Sequence, residues 1–163
     1  MRLVSGLALV ALVIGTATSA AATGRITLGL LVSGMVSWSV VPLAQLLTGV
    51  LLVRGSRLPL TDALARYFDT HRPWSLWLLT LAGLLLLSTN PGAWVEPLAL
   101  TFVVPMALTF RRLNFLCRTQ LGFDAAKARR RTILHQAVTI SGLVAYGEYA
   151  GGLLPRFIDT VGR

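Results

Sequence analysis

The sequence predicts an all-α fold, a polytopic membrane helical bundle of five transmembrane helices with short cytoplasmic amphipathic helices between them. Hydrophobic residues make up 55% of the 163 residues and charged residues only 13%, against about 25% in a soluble domain. Several charge-poor stretches reach the roughly 18 residues that suggest a membrane span. Basic residues cluster between these stretches, as membrane insertion produces. We therefore predict one membrane domain over residues 1–163.

The first predicted span covers residues 3–22, which carry no charge. The same stretch also fits a signal peptide, because Arg2 precedes it and it ends in small residues, Ser19 to Ala22. A retained span and a cleaved signal both stay open. The orientation of the other spans is the same in either case.

The second predicted span, residues 26–53, makes about 42 Å of helix against a hydrocarbon core of about 30 Å. It has to tilt, bend or project from the bilayer. Pro42 is the predicted bend, because proline removes a backbone hydrogen bond.

The first large polar gap, residues 54–73, has a helical pattern of its own. Its apolar residues repeat at i, i+3, i+4, i+7 and i+8: Leu60, Ala63, Leu64, Tyr67 and Phe68. Asp62 lies near the start, where the helix dipole favours an anion. The pattern predicts an amphipathic helix that lies on the membrane surface and ends at Pro73.

The third and fourth predicted spans cover residues 74–89 and 93–110, joined by the turn signal Asn90-Pro91-Gly92. In the second polar gap, residues 111–131, apolar residues could continue the fourth span as an interfacial helix until Gly122. Asp124 can cap a new helix. That helix leads into the fifth predicted span, residues 132–154, which Pro155 is expected to end.

The basic residues set the predicted orientation. With five spans, twelve Lys and Arg residues fall on one side and three on the other, so the dense side, with the N-terminus, is cytoplasmic and the C-terminus is outside. Abundant Arg, Ala, Leu and Gly indicate a GC-rich bacterium and hence its inner membrane. The net charge of +9 then predicts contact with anionic lipid headgroups rather than nucleic acid. The predicted lipid contacts are Lys127, Arg129, Arg130 and Arg131.

Polar residues within the predicted spans form a candidate intramembrane polar site. It comprises Glu148, Tyr146, Tyr149, His135 and Gln45. Glu148 stands out because a carboxylate costs roughly 2.5–3.5 kcal/mol at the bilayer centre. The site could handle a proton or cation, or its members could be hydrogen-bonding contacts between helices while Glu148 reaches the headgroups.

Motifs of enzymes are missing from the sequence. It has no Gly-x-Ser-x-Gly, no His-Glu-x-x-His and no phosphate-binding glycine loop. The two histidines, His71 and His135, have no metal-type partner three or four residues away, and Cys117 is the only cysteine. We therefore expect no catalytic residues, no metal and no cofactor.

The long second span with its proline and the run from Leu60 to Phe68 resemble bacterial members of the Yip1 family of five-span membrane proteins. The resemblance implies the five-span layout with a cytoplasmic N-terminus and a role in membrane organisation, and it carries no site residues. The expected function is a non-enzymatic scaffold or accessory subunit that contacts another membrane protein or a second copy. The alternative is a small channel or transporter that uses polar faces of spans two and five, with Glu148 as its ionisable group.

Overall fold

The computed structural model describes residues 12–17, 27–88, 97 and 100–161, and in the last helix it describes no side chain beyond residue 148. Five helices follow in order: α1 (Leu28–Val53), α2 (Leu60–Thr70), α3 (Arg72–Leu87), α4 (Val103–Thr119) and α5 (Ala125–Val161). Residues 12–17 are also helical, and the described residues contain no strand. The all-α prediction is confirmed. The rest of the first predicted span and the Asn90-Pro91-Gly92 turn lie outside the described residues.

Helix α1 continues through Pro42 and ends at Val53. The amide of Ser56 donates to the carbonyl of Val53 at 3.0 Å, and Gly55 between them has a φ of +76°. A left-handed residue just past a helix end favours glycine, which has no Cβ to clash. The chain therefore turns sharply at Gly55 and enters α2 at Leu60.

Helix α2 confirms the helix predicted from the first polar gap, but the prediction that Pro73 ends it is wrong. The helix ends at Thr70, and Pro73 lies in the first turn of α3. Proline is well suited to this position because the first amides of a helix have no intrahelical partner. His71 forms the joint, and its carbonyl accepts from the amide of Trp74 at 3.0 Å.

Helix α4 continues past Phe110 as far as Thr119, so the predicted extension of the fourth helix is confirmed. Gly122 then turns the chain with a φ of +74°. Asp124 caps α5, because its carboxylate accepts from the amide of Lys127 at 2.8 Å. The sequence had indicated both the break and the cap.

Helix α5 is a single helix of 37 residues that includes Pro155. The prediction that Pro155 ends the helix is therefore wrong. A proline removes one backbone hydrogen bond and crowds one carbonyl, which bends a helix but need not stop it.

The inner core is the cluster of buried side chains where α2 packs among the end of α1, the end of α4 and the start of α5. It consists of Leu52, Val53, Ala63, Leu64, Tyr67, Leu113, Leu116, Cys117, Leu121, Phe123 and Ala128. The apolar face of α2 is buried in this cluster. The pattern that predicted a helix on the membrane surface is thus satisfied by contacts with the chain's own helices.

Away from the inner core, many apolar side chains are exposed. On α1 they include Leu28, Val32, Val36, Leu43 and Leu47. Within the stretches that the structure describes, no helix combines the length and the apolar character needed to cross a membrane.

Candidate functional site

The Tyr67 cluster, formed by Tyr67, His71 and His135, is the most unusual group of side chains that the structure describes. The hydroxyl of Tyr67 lies 3.3 Å from Nε2 of His135, and the two histidine Nε2 atoms are 3.4 Å apart. The three rings also contact one another, with centroids 4.6 to 5.5 Å apart. All three residues are buried.

Local helix geometry explains how these side chains meet. Tyr67 is in the last turns of α2 and His71 follows one turn later, so both rings project from one side of the helix end. His135 comes from α5, which packs beside α1 and α4. Gly49 of α1 makes room for the phenol ring, since a Cβ at this position would lie 2.6 Å from Cε1 of Tyr67.

Hydrogen-bond geometry fixes the positions of most protons in the cluster. Nδ1 of His71 is 3.1 Å from the carbonyl oxygen of Tyr67, and a carbonyl can only accept, so Nδ1 carries the proton and Nε2 is an acceptor. Nε2 of His135 then donates to His71. The hydroxyl of Tyr67 is left to donate to Oγ1 of Thr48 at 3.3 Å, and Thr48 donates to the carbonyl of Ala44 at 3.0 Å.

Burial keeps the side chains of His71 and Tyr67 uncharged. Loss of water lowers the pKa of His71 to about 4, although the hydrogen bond to the Tyr67 carbonyl partly opposes this. Burial also raises the pKa of Tyr67, and the hydrogen bond with Thr48 opposes that shift. Near neutral pH the imidazole of His71 and the phenol of Tyr67 are therefore both neutral.

One edge of the cluster has buried polar atoms without a partner among the described residues. They are Nδ1 of His135, Nε2 of Gln136 and Oγ1 of Thr139. His135 and Gln136 are adjacent in α5, and Thr139 follows in the next turn. An unpaired buried polar group costs about 1–3 kcal/mol, so this strip of α5 is the least satisfied polar surface in the described interior.

The contacts within the cluster are hydrogen bonds and ring contacts. The described residues contain no group of three His, Cys, Asp or Glu that could hold a metal ion. The thiol of Cys117 lies in the inner core, where burial raises its pKa and disfavours the reactive thiolate. Two imidazoles and a phenol can pass a proton or link the end of α2 to α5.

Two of the candidate intramembrane polar residues, His135 and Glu148, lie far apart in the structure. His135 is in the Tyr67 cluster, and Gln45 contributes only its carbonyl, which accepts from Thr48 at 3.2 Å. Tyr146 is half-buried and Glu148 is exposed. Thirteen residues separate His135 from Glu148 along α5, which is about 20 Å of helix. The side chain of Tyr149 lies outside the described residues.

The four candidate lipid-contact residues differ in where their side chains lie. Arg129 and Arg130 are exposed. Arg131 is directed inward, where its Nη1 donates to the carbonyls of Leu52 and Arg54, each at 2.6 Å. The guanidinium of Arg131 and the amine of Lys127 also contact the ring of Phe123, at 4.3 and 4.9 Å from its centroid.

Arg131 therefore joins α5 to the end of α1. The last carbonyls of a helix have no intrahelical donor, and a cation is favoured there by the helix dipole. Contact of Lys127, Arg129, Arg130 and Arg131 with lipid stays a prediction.

Sequence reasoning missed Tyr67 and His71 as partners of His135. Their spacing of four residues was visible, but His135 is 64 residues from His71. A pairing over that distance depends on how the helices pack.

Comparison with protein-family models, with curated proteins and with solved structures finds no match for this chain. The resemblance to the Yip1 family stays a prediction. Similarity to known proteins therefore adds nothing to the function, which has to be argued from the helices and their surfaces.

Proposed function

We propose that this chain is a non-enzymatic integral membrane protein of a bacterial inner membrane that acts as a scaffold or accessory subunit. We also propose that its helices form a five-span bundle with the N-terminus in the cytoplasm and the C-terminus outside. The same proposal includes the Yip1-like role in membrane organisation.

One observation carries the proposal, an exposed apolar row along α1. Leu28, Val32, Val36, Val40, Leu43, Leu47 and Leu51 are all exposed, from 40% to 77%. Steps of three and four residues put them on one side of the helix. The 26 residues of α1 contain no charge and make about 39 Å of helix. A row of this length favours lipid or another apolar helix as its neighbour, because soluble proteins rarely expose large continuous apolar patches.

Exposed apolar residues on two other helices support a role in contact with partners. Leu76, Leu79 and Leu84 are exposed on α3, and Leu134 and Val138 on α5. Since the chain does not cover these faces itself, they are available to lipid, to a second copy or to another membrane protein.

Membrane fractionation and reporter fusions test the location. We expect the chain in the carbonate-washed membrane fraction. Alkaline phosphatase should be active when fused after Gly92 or Arg163 and inactive when fused after Arg57. Activity after Arg57, or inactivity after the other two positions, would contradict the proposed orientation.

Purification in mild detergent tests the scaffold role. We expect a stable oligomer or a co-purifying membrane protein. A monomer with no associated protein, obtained repeatedly under mild conditions, would argue against this role while leaving the membrane location intact.

The unpaired polar atoms on α5 favour a second candidate, a small channel or transporter. Water in a polar pathway would satisfy Nδ1 of His135, Nε2 of Gln136 and Oγ1 of Thr139. In this hypothesis Glu148 is the ionisable group at one end of the pathway. Proton or cation flux in proteoliposomes that is lost in Glu148→Gln would support it, and the absence of flux in the unaltered chain would exclude it.

A further inference from the structure

A groove between α2 and α4 combines three arginines with apolar side chains. Arg66 of α2 faces Arg111 and Arg112 of α4, and Leu108 and Phe115 contribute the apolar wall. The volume of about 770 Å³ lies within the range of about 300–1,000 Å³ that is typical of small-ligand pockets. The groove is therefore large enough for the headgroup of a lipid.

The sequence of α4 puts arginines and apolar side chains on the same side of the helix. Leu108, Arg111, Arg112 and Phe115 follow at steps of three, one and three, and all four side chains are exposed. Arg66 is held towards this face, because its Nη1 donates to Oε1 of Gln120 at 2.8 Å. All three arginines thus line the same groove.

The charge of the groove is unbalanced. Arg111 and Arg112 have no carboxylate partner among the described residues. Asp69 also lines the groove, but its carboxylate pairs with Arg72 at 2.8 Å. Because guanidinium groups match the oxygens of a phosphate in a two-pronged geometry, an anionic phosphate is the favoured occupant.

An apolar row leads out of the groove along Leu108 and Val104 of α4 and continues to Leu100, which precedes the helix. Leu100, Val104 and Leu108 are spaced by four residues and are 73%, 58% and 43% exposed. This row runs towards the end of the helix that the sequence predicts to lie in the membrane, and the arginines begin where that span ends. A ligand with a phosphate at one end and a hydrocarbon chain at the other matches this order.

We propose that this groove binds the headgroup phosphate of an anionic phospholipid, with an acyl chain along Leu108 and Val104. The proposal rests on the proposed membrane location and names the lipid partner. The predicted contacts lie on α5 outside the groove: Lys127, Arg129, Arg130 and Arg131.

The test titrates dioctanoyl phosphatidylglycerol into the full chain in a neutral detergent and counts bound lipid by native mass spectrometry. The double variant Arg111→Gln with Arg112→Gln should weaken binding at least about tenfold, since each arginine near an anionic lipid contributes about 1 kcal/mol. Arg54→Gln with Arg57→Gln is the matched control, because it removes two exposed arginines that lie outside the groove and outside the predicted lipid contacts. It should leave binding within about twofold of the unaltered chain. Thermal unfolding checks that both variants stay folded.

Two further arms identify the chemistry of the ligand. Dioctanoyl phosphatidylcholine should bind much more weakly than the anionic lipid, and glycerol 3-phosphate should not displace the anionic lipid at equal concentration. Phe115→Ser should weaken binding of the lipid.

Equal losses in the two double variants, or full displacement by glycerol 3-phosphate, would overturn the proposal. Neither result would affect the membrane fractionation. The test of lipid binding in the groove and the test of the membrane location can therefore fail independently.

Discussion

The inner core and the outer lengths of the same helices differ in what covers their apolar side chains. On α1, Leu52 and Val53 are 4% and 2% exposed, whereas Leu28 and Val32 are 77% and 53% exposed. The residue types are the same at both ends of the helix. At the inner end α2 and α5 pack against α1 and the leucine and valine are buried, whereas along the outer length leucines and valines are exposed.

This difference separates two sources of stability. The inner core is held by packing within the chain, so its loss should appear directly in the free energy of unfolding. The outer faces depend on whatever surrounds the protein, so substitutions there should change insertion or association more than unfolding. Four predictions test the comparison, and three of them have a matched residue as control.

The largest expected effect is the contrast between a buried and an exposed leucine. Leu113 is fully buried and Leu47 is 66% exposed. Leu113→Ala should lower the free energy of unfolding by about 2–5 kcal/mol because it leaves a cavity. Leu47→Ala should change it by about 0.5 kcal/mol or less. Denaturant unfolding in neutral detergent measures both, and equal effects would remove the distinction between the two regions.

Acid should loosen the inner core through His71. The pKa of His71 is about 4 in the folded chain against 6.5 for an ordinary histidine, so the unfolded chain binds the proton first as the pH falls. Stability is therefore fully present above pH 6.5 and declines towards pH 4, by roughly 3 kcal/mol in total.

Melting temperatures measured between pH 7 and 5 check this effect before the carboxylates titrate. His71→Gln should flatten the dependence on pH. If the slope persists in that variant, its source lies in another group.

Arg131 and Arg130 should differ although they are neighbours of equal charge. Arg131→Gln removes the donor to the carbonyls of Leu52 and Arg54, which should cost about 2 kcal/mol of unfolding free energy. Arg130 is exposed, so Arg130→Gln should cost no more than about 0.5 kcal/mol. Thermal unfolding of the two variants side by side is the measurement. Equal losses would mean that net charge, rather than the link between α1 and α5, is responsible.

The smallest expected effects are at two helical glycines, where substitution by alanine should change the free energy of unfolding in opposite directions. A Cβ at Gly49 would meet the Tyr67 ring at 2.6 Å, whereas a Cβ at Gly83 meets nothing within 4 Å. Gly49→Ala should destabilise the chain by about 1–2 kcal/mol through overpacking. Gly83→Ala should stabilise it by about 0.5–1 kcal/mol, because alanine loses less backbone freedom on folding. Stabilisation at both positions would show that α1 can move away from Tyr67.

Local signals in the sequence predicted much of the secondary structure. The spacing of Leu60, Ala63 and Leu64 predicted α2, and Gly122 and Asp124 marked the break and cap before α5. These features act within one or two turns of chain. The two proline errors have one cause, because Pro73 and Pro155 were both taken as stops although proline also fits a first turn or a bend.

The candidate site was much less predictable than the helices. His135 was identified as a polar residue of the fifth predicted span, but its partner Tyr67 comes from α2 and its partner His71 from the joint between α2 and α3. Arg131 is similar, since nothing in its sequence surroundings distinguishes it from Arg129 and Arg130. Which residue of such a run turns inward depends on the position of the α1 carbonyls.

The length of α5 has a mechanical consequence. From Arg131, fixed to the end of α1, the helix runs 17 residues to Glu148, about 25 Å along the axis. A helix is stiff over this distance, so a 10° tilt at Arg131 would displace the backbone at Glu148 by about 4 Å. Because the inner core holds the Arg131 end of this length of helix, small changes in packing around Tyr67 become larger displacements at Glu148.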